Sequence, residues 1–172
     1  TLAVVHNTAI SIAQVGDSRA YLIRAGVARQ ITKDQSLIQR LVDAGEMTEG
    51  EAAHSDRRNI ILQALGSEPT VAPDIYREHA EVGDVLLLCS DGLSNLVSPN
   101  DMARIALADD NMETVCERLV AFANAHGGHD NITVVAARFE PPDPNQPEEP
   151  APTSKRESTS PGLSDRVRRW LR

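Results

Sequence analysis

Three aspartates sit where short apolar runs meet turns. They are Asp17 in "AISIAQVGDSRAYLI", Asp91 in "DVLLLCSDGLSNL" and Asp130 in "HGGHDNITVVAARF". A carboxylate at the mouth of a buried strand is partly removed from water, so it takes up a proton, finds a donor or binds a cation. Several such acids in one place repel, and a divalent ion relieves that repulsion. All-oxygen ligation favours hard ions such as Mg²⁺ or Mn²⁺. Gly92 would let the backbone bend sharply after Asp91, and Asn131 would bond local backbone and hold Asp130 in place. Against this stands a plainer reading: Gly-Asp, Asp-Gly and Asp-Asn are turn dipeptides, and any one alone is structural more often than functional. His126 and His129 in "HGGHD" invite a zinc site, but two His without Cys in a Gly-rich loop are a weak signal. No Ser-His-Asp motif, Walker A loop or GxGxxG run is present.

The elements that must position these acids follow from periodicity and turn signals. Residues 1 to about 32 read as a β-meander: "LAVVH", "AISIAQV", "AYLIR" and "VARQI", split at His6-Asn7, Gly16-Asp17-Ser18 and Ala25-Gly26. Residues 34–66 change character. "DQSLIQRLVDAGEM" carries Leu37, Ile38, Leu41 and Val42 at helical spacing with Gly45 as a stop, and "TEGE" is a capping box for a second short helix. The run "RRNIILQALG" closes this polar, helical insertion, which is either a surface excursion or a flap beside a site. Strands return in "VAPDIYREHA" and "DVLLLC". Two helices follow: one with Ser98 as N-cap and Pro99 at its first position, one from near Asp110 with Met112, Val115, Cys116, Leu119, Val120 and Ala123 on one face. Gly127-Gly128 ends the second, and "NITVVAARF" is the last strand.

Composition sets the limits. The 172 residues suffice for one ordinary domain, and 41% apolar content allows a core, but with 3% aromatics that core must be aliphatic. A net charge of −8 argues against non-specific nucleic-acid binding. Cys89 and Cys116 read as small buried hydrophobes without a disulfide framework, so a reducing, cytoplasmic compartment is expected. No apolar run approaches the ~18–20 residues of a membrane span, and none reads as a signal peptide. The first residue is Thr1, which suggests a chain that starts inside a longer product or has been processed. Residues 141–162 are Pro-, Glu- and Ser-rich and read as a disordered linker. The end, 163–172, is a basic tail with Leu163, Val167, Trp170 and Leu171 near helical spacing. Ten residues are short for a stable helix, so an unstructured tail is favoured over a membrane-contacting one.

The motifs "VGDSRAYL", "ITKDQSL", "LLLCSDGL" and "GGHDNITVV", in this order, resemble the metal-dependent protein phosphatases of type 2C, in their bacterial branch. The segment "LIQRLVDAGEMTEGEAAHSDRRNIILQALG" is similar to the flap of that branch. The resemblance covers residues 1–140. It implies an α+β fold, an α-β-β-α sandwich of antiparallel sheets flanked by helices, of which the N-terminal part is missing. It implies hydrolysis of phosphoserine or phosphothreonine on proteins, with a binuclear Mn²⁺ or Mg²⁺ centre and a third, weaker ion beside the flap. By motif match Asp91 and Asp130 would be metal ligands and Asp17 would join Asp91 at the third ion. Gly92, Asn131 and Ser18 would lie just behind them.

Two departures from the family pattern stand out. Gln35 stands where the family usually shows His, and "NIILQALG" stands where bacterial members tend to show Thr-Arg before Ala-Leu-Gly. A larger departure is the absence of the family's phosphate-binding Arg, its Glu-Asp pair, its metal-bridging Asp-Gly and its leaving-group His. No catalytic residue is therefore identifiable in this chain. The expectation is a monomeric phosphatase fragment, inactive alone and acting on phosphoproteins when complete; the alternative is a non-catalytic regulatory or binding module. The three acids favour the first, since a pure binding module has no need of them.

Overall fold

The computed structural model describes residues 1–53, 55, 57 and 60–141. Apart from Pro141, the expected linker at 141–162 and the basic tail at 163–172 lie outside the described residues. Thr1–Pro141 form one compact unit.

Among the described residues, seven strands build two antiparallel sheets. Strands β1 (Leu2–His6), β2 (Ala9–Gln14) and β5 (Asp74–His79) form the first, in the order β1-β2-β5. Strands β4 (Val27–Gln30), β3 (Arg19–Arg24), β6 (Val85–Cys89) and β7 (Val134–Arg138) form the second, in that order. The meander is as expected, and its β3–β4 hairpin is closed by Ala25 (φ 49°) and Gly26 (φ 83°). Two successive left-handed residues give a turn whose twist matches the strands it joins.

Strands β3 and β6 are buried on both faces, which explains their unbroken apolar runs. Ala20, Leu22 and Leu86 face the first sheet and pack with Ile10, Ile12, Ile31 and Ala80. Tyr21, Ile23, Val85, Leu87 and Cys89 point the other way, under a layer of helices. That layer is α3 (Asp91–Ser94), α4 (Pro99–Ala106) and α5 (Met112–Ala125). The caps are local and legible. Ser98 Oγ accepts from Asp101 N–H at 3.1 Å with Pro99 at the first helical position, and Asn111 caps α5 through the N–H groups of Glu113 and Thr114. The core positions Val115, Leu119 and Ala123 of the expected stripe are buried.

The architecture is thus α+β, with two antiparallel sheets face to face and helices on the second. The outer face of the first sheet carries Leu2, Val4 and Ile75, each more than half exposed.

Three local expectations need correction. Cys116 is only half-buried: its thiol lies against the Ala136 backbone of β7, at the edge of the sheet. The short helix α3 directly follows β6, where a bend was expected. In the insertion, α1 (Leu37–Asp43) and α2 (Glu49–Ala53) form with the Ser36 cap and the Thr48/Glu51 capping box, but residues 60–66 are not helical. Ile61 instead makes an antiparallel bridge to Ser36, so the insertion closes on itself as a flap with an extended base.

Candidate metal centre

Register decides where the acids emerge. Arg19 is opposite Cys89 and Cys89 is opposite Val134, all in antiparallel pairs. The start of β3, the end of β6 and the start of β7 therefore lie at one end of the second sheet. Asp17 precedes β3, Asp91 follows β6 and Asp130 precedes β7, so topology alone delivers all three to that end.

Asp17 and Asp91 line one cleft of about 690 Å³, together with Arg19, Asp34, Glu49 and Asn95. Burial, and next the negative charge of Asp91, push the Asp17 carboxyl above the ordinary carboxylate range. Two acids thus face a shared space at an electrostatic cost. Asp130 sits beside them on the β7 entry loop but is exposed, which corrects the expectation that all three acids are partly desolvated. Among the described residues no three His, Cys, Asp or Glu side chains converge closely enough to hold an ion by themselves.

The loop that carries Asp130 is fastened to the loop that carries Asp91. Ser90 N–H donates to Thr133 O at 3.1 Å, Ser90 Oγ donates to Asn131 O at 2.9 Å, and Thr133 N–H donates back to Ser90 Oγ at 3.0 Å. Gly92 lies against this junction. A Cβ at Gly92 would stand 2.5 Å from Asn131 O and 3.1 Å from its carbonyl carbon. The glycine is required for this close approach, not for a bend, since it sits inside α3. Asn131 does anchor Asp130, but through its main chain: Asn131 N–H donates to Asp130 Oδ1 at 2.7 Å. Ser18 accepts from Thr1 Oγ1 through its carbonyl oxygen at 2.8 Å.

Sequence reasoning missed the group that organises the cleft. Arg19 Nε donates to Asp34 Oδ1 at 2.9 Å and Arg19 Nη2 to Asp34 Oδ2 at 2.7 Å. This fork joins the "GDSR" motif to the "KDQS" motif; the recurrence of an Arg in one and an Asp in the other was the available signal. Both side chains are mostly buried, at 26% and 14% exposure. Arg19 is thereby committed to Asp34. Gln35, the next residue, accepts from Gly16 N–H at 2.9 Å through Oε1 and so reaches the loop that carries Asp17.

Other candidates are quieter. Burial pushes the Cys89 thiol up to about 12, which excludes a thiolate nucleophile at neutral pH. His126 Nδ1 lies 2.8 Å from Phe122 O and its ring stacks on Phe122 with centroids 4.2 Å apart.

The donor set is hard and anionic. An acidic pair whose burial and repulsion raise one carboxyl suits a divalent oxygen-binding cation, so the residues fit Mg²⁺ or Mn²⁺ as part of a coordination shell.

Comparison with known proteins agrees with this chemistry. The family model described as Protein phosphatase 2C matches residues 1–41. The chain is 40% identical over 133 residues to "Serine/threonine phosphatase stp" of Listeria monocytogenes, covering 77% of this chain and 53% of that protein. It is similar to the crystal structure of the Mycobacterium tuberculosis serine/threonine phosphatase PstP/Ppp, with TM-score 0.74 and 38% identity, covering 80% of this chain and 58% of that one. It is also similar to the catalytic domain of the phosphatase PstP in complex with 2 manganese ions, with TM-score 0.68 and 38% identity over 79% of this chain and 56% of that one. The chain spans little more than half the length of these proteins.

Proposed function

We propose that the chain belongs to the protein phosphatase 2C family and supplies part of a bacterial-type, Mn²⁺- or Mg²⁺-dependent protein serine/threonine phosphatase. Its substrates are phosphoserine and phosphothreonine proteins. Asp17, Asp91 and Asp130 act as metal ligands, with Gly92, Asn131 and Ser18 behind them. The observation that carries the assignment is the emergence of all three acids at one end of the second sheet, with Asp17 and Asp91 sharing a cleft beneath the flap.

When bound, the ions supply charge neutralisation and water activation for phosphomonoester hydrolysis. The chain's own residues have separate tasks. Asp17 and Asp91 present carboxylate oxygens toward the cleft. The Ser90–Thr133 and Ser90–Asn131 bonds fix the Asp130 loop against Asp91. Gly92 keeps that junction tight. Arg19, held by Asp34, braces the cleft rather than gripping phosphate. Both cysteines are free, which supports a reducing, cytoplasmic setting. No helix among the described residues is long and apolar enough to cross a membrane.

The test is Mn²⁺ titration calorimetry on the complete protein beside Asp91→Asn and Asp130→Asn, with hydrolysis of a phosphothreonine peptide followed in parallel. Loss of binding heat and turnover in both variants is the expected result. Undiminished binding in both overturns the ligand assignment. A folded parent that binds Mn²⁺ without turnover moves the reading to a non-catalytic module.

A further inference from the structure

Gln35, at the entry to the flap, and Gln63, at its exit, meet in space. Gln63 Nε2 donates to Gln35 Oε1 at 3.0 Å across 28 positions of chain. Neither amide stops there. Gln35 Oε1 also accepts from Gly16 N–H at 2.9 Å, and Gln35 Nε2 donates to Asp74 Oδ2 at 2.8 Å and Ala72 O at 3.4 Å. Gln63 accepts from Ala72 N–H at 2.6 Å through Oε1 and donates to Ala72 O at 2.8 Å through Nε2. Two side chains thus tie together the loop that carries Asp17, the exit of the flap and the entry to β5.

The backbone around them forms the base of the flap. Gln35 N–H donates to Gly16 O at 2.9 Å, Leu62 N–H to Gln35 O at 2.8 Å and Leu37 N–H to Ile60 O at 2.9 Å. Gly16 adopts φ 98°, and a Cβ built there would lie 3.8 Å from Gln63 O. Both ends of the flap and the Asp17 loop are therefore packed on one small ladder. α1 and α2 extend from that ladder and line the cleft that holds Asp17 and Asp91.

We propose that the Gln35–Gln63 amide pair is a positioning element that registers the flap against the Asp17 loop and thereby sets how well a phosphopeptide is held. It rests on the phosphatase reading for its consequence, though not for its structural content. An amide is suited to the task because each presents an acceptor and donors at once. Gln35 uses both kinds and so bridges a backbone N–H, a carboxylate and a second amide. Neither side chain is placed among the groups that touch metal or substrate atoms. The pair acts through the flap and the loop.

The test uses the complete protein with Gln63→Leu, Gln35→Leu and the double variant, plus Gln63→Asn as the conservative change. The first readout is residue-resolved amide hydrogen exchange. Gln63→Leu is expected to speed exchange at Ala72, its own partner, and also at Gly16 and Leu62, by about fivefold or more, the scale of one lost hydrogen bond. Gly16 is bound to Gln35, so its response reports coupling that a local packing role would not give. The second readout is steady-state hydrolysis of a phosphothreonine peptide and of a small aryl phosphate. The KM for the peptide is expected to rise about fivefold while kcat for the aryl phosphate stays within about twofold. The double variant should lose less than the sum of the single ones, because the bond the two amides share can be lost only once. Faster exchange at Ala72 alone overturns the proposal, as do additive effects of the two leucines or an equal fall for both substrates. A parent that hydrolyses neither substrate sinks the phosphatase reading instead, and the exchange data still decide the role of the pair.

Discussion

Arg19 and Asp34 meet fork to fork across 15 positions of chain, with their two hydrogen bonds at 2.9 Å and 2.7 Å. The pair joins the start of β3 to the mouth of the flap and forms one wall of the cleft that Asp17 and Asp91 share. A planar guanidinium is the only side chain that can fill both bonds at once.

Arg19→Lys should therefore be costly despite keeping the charge. The expected loss is about 2 kcal/mol, from one charge-assisted bond removed and one weakened at a mostly buried site. Asp34→Asn should cost a similar amount, and the double variant less than the sum. Urea unfolding of the four proteins measures this; additive losses would mean the two residues act separately.

Asp17 should trade stability for function. Burial and the charge of Asp91 disfavour its ionised form, so the metal-free protein carries a penalty at neutral pH. Asp17→Asn is expected to raise the melting temperature in the presence of a chelator. With excess Mn²⁺ the order should reverse, because the parent gains binding free energy that the variant lacks. A variant that is less stable under both conditions would show that the Asp17 carboxylate is a structural acceptor.

Gly92 tests the junction of the acid loops. An added methyl at Gly92→Ala would collide with the Asn131 carbonyl, and backbone on both sides leaves little room to yield. Overpacking of this kind costs about 1–3 kcal/mol. Calorimetry should show weaker Mn²⁺ binding as the Asp130 loop is pushed away from Asp91. Unchanged affinity would mean that Asp130 does not contribute to the site.

Acid stability should depend on the opposite end of the sheet. Asp84 is buried, with a side chain 3% exposed, and pairs with Arg24 at 2.6 Å. Burial alone would raise its carboxyl, but the hydrogen bonds from Arg24, the Glu81 N–H and the charge of Arg24 together hold it below the ordinary range. A carboxyl depressed in the folded state contributes stability above its unfolded value, about pH 4, and loses it as pH falls through the folded value. Asp84→Asn should lower the melting temperature at pH 7 and flatten its decline below about pH 4. An unaltered acid limb would rule Asp84 out as its source.

Much of this was legible in the chain itself, for a physical reason. The Ser98 cap, the Thr48/Glu51 box and the α5 stripe depend on residues within a turn or two of one another. Local sterics and hydrogen bonding decide them, and the sequence states both partners together. The order strand, acid, turn was equally readable, because a carboxylate cannot lie inside an apolar run. What the sequence could not state was what each turn residue would meet. Gly92 looked like a hinge and proved to be a clearance for Asn131. The "NIILQALG" run looked helical, but its Ile61 found a bridge to Ser36 and its Gln63 found Gln35 and Ala72. Those partners lie apart along the chain, and only the closure of the flap on its base and of the second sheet on itself brings them together. The amino-acid sequence determined which groups are present and which ends of which strands bear them; the tertiary structure decided which of them share a cleft, because proximity across that distance is a property of register and packing rather than of neighbouring residues.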